Sequence, residues 1–274
     1  MTMRDERLQP VWSLLDANSL SGLMADGKGV PAAIRVIDNG RVTPETAPLI
    51  GAAEAILARA RQQENAAQPG LGLTASGFIS LKNVAAIFDA TPWEEAEKDI
   101  IRHVCKVISE RDFIPMWMAR LILQKAGFLY RRGDRLIVRK GTREAGTHYA
   151  EFVASTFWRT DLSDFDGVPL PVWPQDHIGV TLWALSACAL QWSHQDELMA
   201  ATTLSHSTRG QVDSERLRAF GLRVLRPLVW LGLLEMEQPW EFGDRMKRVR
   251  KSPLLDKTFA FDVTLRDQPA GRLH

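Results

Sequence analysis

The sequence predicts a mainly α protein with small β-hairpins, an α+β class, and two observations predict it. Apolar residues recur at helical spacing along much of the chain, as at Val84, Ile87 and Phe88 and again at Met118, Ala119, Ile122 and Leu123. A longer pattern occurs twice: an amphipathic stretch, an apolar-Gly-apolar-Leu step, and a basic ribbon ending in Val-Arg-Lys. The first copy is MWMARLILQKAGFLYRRGDRLIVRK, from Met116 to Lys140. The second is GLRVLRPLVWLGLLEMEQPWEFGDRMKRVRK, from Gly221 to Lys251. A helix that stops at a glycine and runs straight into a two-stranded basic hairpin is the closing half of a winged helix-turn-helix. The expectation is therefore two winged helix-turn-helix modules in tandem, over residues 70–150 and 151–274, behind an N-terminal accessory region at 1–69 made of a hairpin plus a helix.

The elements follow in order. Ile34 to Asp38 and Arg41 to Thr43 flank Asn39-Gly40, a pair that tolerates the positive φ of a tight hairpin turn. Thr43-Pro44 reads as a helix start, with Leu49, Ile50, Ala53, Ile56, Leu57 and Ala60 on one face and an end near Asn65. Leu73 to Ile79 reads as a short strand or turn, after which Ser80 caps a helix. Thr91-Pro92-Trp93-Glu94 reads as a capping box, starting a helix striped by Ile100, Ile101, Val104, Cys105 and Ile108. Pro115 opens a third helix, which ends at Gly127 before a hairpin from Phe128 to Lys140 that turns at Arg132-Gly133-Asp134.

Beyond it, Pro169, Pro171 and Pro174 bar helix and central strand, so residues 158 to 176 read as a boundary or a long loop. Ile178 to Gln191 and Gln195 to Leu204 read as helices. A third, Ser214 to Leu231, is interrupted by Pro227, which predicts a kink or break near Arg226. Leu233 to Glu237 with Arg245 to Lys251 forms the second hairpin, and Phe259 to Val263 an additional strand.

A chain of 274 residues with 45% hydrophobic and 24% charged residues has the composition of a globular protein rather than a disordered one. A net charge of +1 excludes a protein that coats nucleic acid by bulk electrostatics. Residues 71 to 150, however, carry 13 Lys/Arg against 9 Asp/Glu, so any anion-binding surface is local. Cys105 and Cys188 lie in apolar helical patterns and read as reduced core thiols. The N-terminus lacks the apolar core of a signal peptide, and the longest apolar run, Ile178 to Leu190, is too short to span a bilayer. The expectation is a cytoplasmic protein with no membrane partner.

The segments LTASGFISLKNV (Leu73 to Val84), LQKAGFLYRRGDRLIVRKG (Leu123 to Gly141) and RVLRPLVWLGLLE (Arg223 to Glu235) resemble segments of uncharacterised bacterial proteins, some related to plasmid-encoded open reading frames. The resemblance covers less than half of the chain. It implies a fold and no particular activity.

In winged helices the third helix presents side chains to the major groove while the hairpin touches phosphates or the minor groove. On that pattern the first module offers Trp117, Arg120, Gln124 and Lys125 from its helix, and Arg131, Arg132, Arg135, Arg139, Lys140 and Arg143 from its wing. The bland alternative is a solvated basic hairpin whose charges prevent edge-to-edge pairing. The second module offers Arg216, Arg218, Arg223 and Arg226, with Arg245, Lys247, Arg248, Arg250 and Lys251 on its wing. There Glu235, Glu237, Glu241 and Asp244 are placed to neutralise the ribbon, which favours a salt-bridged structural hairpin.

Other motifs are incomplete. Gly22 to Lys28 has the first positions of a phosphate-binding loop, but Gly29 replaces the metal-ligating Ser/Thr and no apolar strand leads in. Asp161, Asp164 and Asp166 lack the carboxylates a calcium loop needs at its first and twelfth positions. His103 and Cys105 have no second close ligand pair, and no nucleophile elbow is present. No metal, no cofactor and no catalytic residue is expected. Of the nine tryptophans, Trp93 and Trp240 are placed for exposure. The sequence thus points to a DNA-binding or regulatory protein acting on double-stranded DNA. The alternative is a protein-protein interaction scaffold built from the same tandem modules. Oligomeric state and target are not readable from it.

Overall fold

The computed structural model of the chain describes residues 10–24, 29–64, 69–168, 173–204, 214–237 and 248–266. It divides into a middle unit, Asp38–Asp161 with Trp230–Gly232, and a flanking unit drawn from Met1–Ile37, Leu162–Val229 and Leu233–His274. In chain order, α1 (Ala17–Gly22) and β1 (Ile34–Val36) come first. The middle unit then holds α2 (Pro48–Gln62), β2 (Leu71–Gly72), α3 (Leu81–Ala90), α4 (Glu95–Val104), α5 (Ile114–Lys125), β3 (Leu129–Arg132), β4 (Arg135–Val138) and α6 (Tyr149–Trp158). After it come α7 (Ile178–Cys188), β5 (Ser193–His194), α8 (Gln195–Thr202), α9 (Ser214–Phe220) and α10 (Arg226–Trp230). The chain continues with β6 (Leu234–Met236), β7 (Arg248–Lys251), α11 (Pro253–Thr258) and β8 (Phe259–Phe261). The mainly helical α+β class predicted from the sequence is the one found.

The middle unit is built on α2. Its face of Leu49, Ile50, Ala53, Ile56 and Leu57 is buried, and the helix packs against both α3 and α5. It therefore shares a core with the elements that follow, and the unit begins well before the expected boundary at 69/70. Its far end, at Asp161, also passes the expected 150/151, because α6 packs on α5. Helix α2 starts at Pro48 rather than at Thr43-Pro44, since the carbonyl of Thr43 closes a turn with the amides of Thr46 and Ala47. A short strand lies at Leu71–Gly72, just ahead of the expected segment. It pairs antiparallel with β4, which in turn pairs with β3, giving a sheet of order β2-β4-β3.

The hairpin forms as expected. Leu129 faces Val138, Tyr130 faces Ile137, and Arg132 faces Arg135 across a turn in which Gly133 has φ 62°. Helix α5 buries Met118, Ala119, Ile122 and Leu123 and ends at Gly127, whose φ of 77° lets Phe128 N–H reach Leu123 O (2.8 Å) and Gly127 N–H reach Gln124 O (3.1 Å).

Three further expectations about the middle unit are corrected. Thr91 is the C-cap of α3, its hydroxyl donating to Ile87 O (2.8 Å), so the next helix starts after Glu94 and not at a Thr91-Pro92 capping box. Nor does the stripe of α4 form a core face. Ile100 is 60% exposed and Val104 74%, whereas the one buried side chain of the helix is Lys98. Its ammonium donates to the carbonyls of Thr91 (3.0 Å) and Asp89 (3.3 Å), so α4 is tethered by a cation at the carbonyl-rich end of α3. Trp93, expected to be exposed, is half-buried with its ring edge-on to Phe113 (5.6 Å) and Trp230 (5.4 Å).

In the flanking unit the expected N-terminal hairpin does not form. Strand β1 pairs instead with β8, Ile34 facing Phe261 and Val36 facing Phe259, which uses the strand expected at 259–263. A second three-stranded sheet has the order β5-β7-β6, with Leu234 facing Lys251 and Met236 facing Val249. Helix, short strand, helix, third helix and hairpin thus recur in both units, with the same order of strands. The third helix here is α9, a π turn over Gly221–Leu225, and α10. The amide of Arg226 bonds the carbonyl of Gly221, and this wider turn relieves the clash that Pro227, lacking an N–H, would otherwise make with the carbonyl four residues back. The break near Arg226 is as expected. The helix again ends at a glycine of positive φ, Gly232 (73°), with Leu233 N–H on Leu228 O (2.8 Å).

The two glycines differ in what surrounds them. A Cβ on Gly127 would meet only the guanidinium of Arg139, at 3.8 Å, whereas on Gly232 it would lie 2.1 Å from the carbonyl oxygen of Thr46. Gly127→Val is expected to cost about 1–2 kcal/mol, from backbone conformation alone. Gly232→Ala is expected to cost more than Gly127→Ala, since backbone must also move. Chemical denaturation of these variants gives the ranking, and equal stabilities would show that close approach at Gly232 is not limiting.

Candidate nucleic-acid interface

The basic ribbon of the middle unit is exposed and little neutralised. Arg131, Arg132, Arg139, Lys140 and Arg143 all lie at the surface, and among the described residues none of them is ion-paired to a carboxylate. Arg131 donates to Gly133 O (2.9 Å) across the turn. The guanidinium of Arg139 lies beside Gly127, where the α5 carbonyls end, a position that favours a cation. Arg135 is different: it is half-buried and donates to the carbonyls of Pro69 (2.6 Å) and Gly70 (2.5 Å), fastening the segment that enters β2. It holds the fold and is not free for a ligand.

The helix α5 offers less than its sequence suggests. Arg120 is 6% exposed and is paired with the fully buried carboxylate of Glu110. That carboxylate also accepts from the amide of Ile79 (2.7 Å), and Arg120 Nη1 donates to Gln124 Oε1 (2.7 Å). Burial pushes the Glu110 carboxyl above its usual range, with Arg120 and the Ile79 amide pulling the other way. Arg120, placed on the outward face by its spacing, is thus an internal residue, and Gln124 is half-buried with its oxygen engaged. Lys125 is exposed, while Trp117 is half-buried, edge-on to Phe78 at 5.9 Å.

One cation absent from the candidates that spacing suggests joins this surface. Arg111 is exposed, with its guanidinium 4.4 Å from the Phe78 ring centroid and 5.8 Å from that of Trp117. Residue 77, next to Phe78, would place a Cβ 3.8 Å from Arg131 Nη1. A run of contacts therefore links the wing tip, the 74–78 turn and the first turn of α5. In sequence Arg111 sits between Glu110 and Asp112 and so reads as neutral. Only the inward turn of Glu110 and the capping role of Asp112, which accepts from the Ser109 amide (2.7 Å), leave it as a local positive charge.

The flanking unit gives a different picture. Arg223 is fully buried, with Nε on Asp166 Oδ2 (2.6 Å), Nη2 on Asp166 Oδ1 (3.1 Å) and Val168 O (3.0 Å), and Nη1 on Trp173 O (2.6 Å). Arg226 is 8% exposed, and desolvation lowers its pKa to about 10 against the opposing charge of Asp166. Neither reaches a surface where nucleic acid could lie. Arg218 is exposed and donates to Asp166 O (3.3 Å), and Arg216 lies over the Trp173 ring (5.8 Å).

On the second wing Arg248 pairs with Glu237, Arg250 with Glu235 (2.6 Å), and Lys251 with Asp256 (2.8 Å). Arg250 also covers Trp192, at 4.6 Å from its ring. Arg245, Lys247, Glu241, Asp244 and Trp240 lie outside the described residues.

Both cysteines are free thiols, half-buried rather than in the core, and burial raises the pKa of each. Among the described residues no cluster of three His, Cys, Asp or Glu side chains could hold a metal ion, and no helix is long and apolar enough to cross a membrane.

Residues 45–150 match the Y4jL N-terminal domain, an uncharacterised family, in agreement with the resemblance to uncharacterised bacterial proteins. The matched stretch opens just ahead of α2 and closes in the first turn of α6, so it includes the helix that the fold places with the middle unit. No curated protein and no solved structure matches the chain.

Proposed function

We propose that the chain is a DNA-binding protein of winged-helix type, acting without a cofactor, in which the middle unit contacts the phosphates of duplex DNA through its β3-β4 wing and Arg111. The observation that carries this reading is the contrast between the two hairpins. The cations described on the second, Arg248, Arg250 and Lys251, are each matched with a carboxylate, while Arg131, Arg132, Arg139 and Lys140 on the first stand exposed in a chain of net charge +1. A protein that needed charge only to keep its sheet edges apart would have no reason to neutralise one wing and leave the other. The recurrence of helix, short strand, helix, helix and hairpin, with strand order first-third-second in both units, supports a winged-helix assignment for each. With Arg120 internal, the wing and Arg111 carry the contact, and binding is dominated by phosphates rather than base edges.

The test is equilibrium binding of the intact chain to a random-sequence duplex pool, beginning at about 50 mM salt where phosphate contacts are strong. Binding is expected, with a log affinity that falls linearly with log salt. Replacing Arg131, Arg132 and Arg139 together with alanine should lower that slope by up to about 2.7, at roughly 0.9 for each phosphate no longer neutralised. Arg248→Ala with Arg250→Ala should leave the slope unchanged. Absence of binding by the wild-type chain would refute the proposal. The alternative, a scaffold for protein interaction, draws on one observation, the uncovered aliphatic stripe of α4.

A further inference from the structure

We infer that the 74–78 turn of the middle unit is a phosphate-binding site, in which backbone amides and a hydroxyl act together with Arg111 and Arg131. The source of that phosphate, a duplex backbone, rests on the DNA-binding reading above. The turn lies between β2 and α3 and closes on itself. Thr74 N–H donates to Phe78 O (2.7 Å), Gly77 N–H to Thr74 O (2.9 Å) and Phe78 N–H to Thr74 Oγ1 (3.2 Å), with Gly77 at φ 83°. At its exposed tip the amides of Ala75 and Ser76 find no acceptor among the described residues. The hydroxyls of Thr74 and Ser76 lie 3.0 Å apart, so one of their two hydrogens is spent between them and the other is left to donate. Successive amides of a tight turn with nothing accepting from them are suited to an anion.

Two cations come to this turn. Arg111 Cζ lies 4.4 Å from the Phe78 ring centroid, and a Cβ on Gly77 would lie 3.8 Å from Arg131 Nη1. Both arginines are exposed, and among the described residues neither is ion-paired to a carboxylate. The Phe78 ring holds the Arg111 guanidinium by one face and leaves its N–H edge to a ligand, with less rotamer freedom still to lose. Nearby carboxylates are engaged elsewhere or leave the donors free. Glu110 turns inward to Arg120, and Asp112 accepts from the amide and the hydroxyl of Ser109 (both 2.7 Å). Asp134, exposed in the wing turn, offsets part of the charge without bonding either arginine. Exposed arginines alone are what any solvated wing shows. This end of the module differs in that neutral donors and cations share one five-residue turn. A phosphate, with several acceptor oxygens and nothing to donate, uses both kinds at once.

Proton-nitrogen NMR spectra of the intact chain, titrated with inorganic phosphate against chloride of equal ionic strength, test the site without nucleic acid. The Ala75 and Ser76 amides are expected to move saturably, with half-saturation near about 10 mM. Ser76→Asp, which brings a carboxylate to the two arginines, should abolish the movement of the Ala75 amide with an unchanged thermal melt, since the tip is exposed. A second arm measures binding to duplexes with 5′-hydroxyl ends, which offer backbone phosphates alone. There Ser76→Asp should lower the slope of log affinity against log salt by about 0.9, the value of one phosphate, and adding Arg111→Ala should lower it by less than about 0.3 more, because both act on the same phosphate. Amides indifferent to phosphate, or a duplex-binding chain whose slope Ser76→Asp leaves unchanged, would overturn the inference while leaving the DNA reading intact. Phosphate binding abolished by Ser76→Asp in a chain that binds no duplex would uphold the site and refute the DNA reading alone.

Discussion

Asp166→Ala is expected to lower stability by about 3–5 kcal/mol, because it strands the guanidinium of Arg223 in the interior without a counter-ion. Both side chains of this pair are fully buried, and Arg223 binds the carboxylate with two nitrogens while holding the carbonyls of Val168 and Trp173. The penalty is aggravated by Arg226, a second buried cation whose pKa Asp166 helps to keep up. Arg223→Lys should also be costly, since an ammonium cannot reproduce the planar fork that serves three acceptors at once. Arg223→Met with Asp166→Leu should recover a good part of the loss, because the desolvation of both charges is then removed. Urea denaturation gives the numbers. A single-variant loss under about 1 kcal/mol would mean that water reaches the pair in solution.

The second large effect belongs to the middle unit. Glu110→Ala is expected to cost about 3–5 kcal/mol, since it leaves buried Arg120 without a counter-ion and the Ile79 amide without its acceptor. The raised pKa of Glu110 adds a dependence on pH. A carboxyl whose folded value lies above its unfolded value contributes fully below the unfolded value, about 4.3, and loses that contribution as pH rises through the folded one. Glu110→Gln removes the titration while keeping an acceptor for Ile79. The stability of the wild type relative to this variant should therefore fall as pH rises from about 4, and a difference that rises instead would show that Arg120 outweighs burial.

Features closed by neighbours in sequence were legible without coordinates. Gly127 and Gly232 were readable as helix ends and the β3-β4 hairpin with them, because the bonds that form them span a few residues, and β6-β7 was readable because it repeats the same helix-Gly-ribbon pattern. What joins distant segments was not. The apolar residues of Ile34 to Val36 mark a strand, but nothing near them says that the partner is Phe259 to Phe261 rather than Arg41 to Thr43. Arginine is ambiguous for a similar reason. Arg120 and Arg223 occupy positions that look solvent-facing, and become internal only because Glu110 and Asp166 fold in to meet them from ten and 57 residues away. Periodicity also shows that α4 has an apolar face without showing whether this chain covers it.

The π turn before Pro227 works as a one-residue insertion in an otherwise α-helical rod. The wide turn takes up the additional residue locally, since Arg226 N–H bonds a carbonyl five positions back and not four, so the residues after it keep the face they would have in a regular helix one residue shorter. Leu228 stays buried although the segment carries a surplus residue. Deleting one residue from Gly221–Leu225 would restore regular spacing and drive the Pro227 ring into the carbonyl four positions back. Length, rather than side-chain identity, is therefore the property of this segment least open to change.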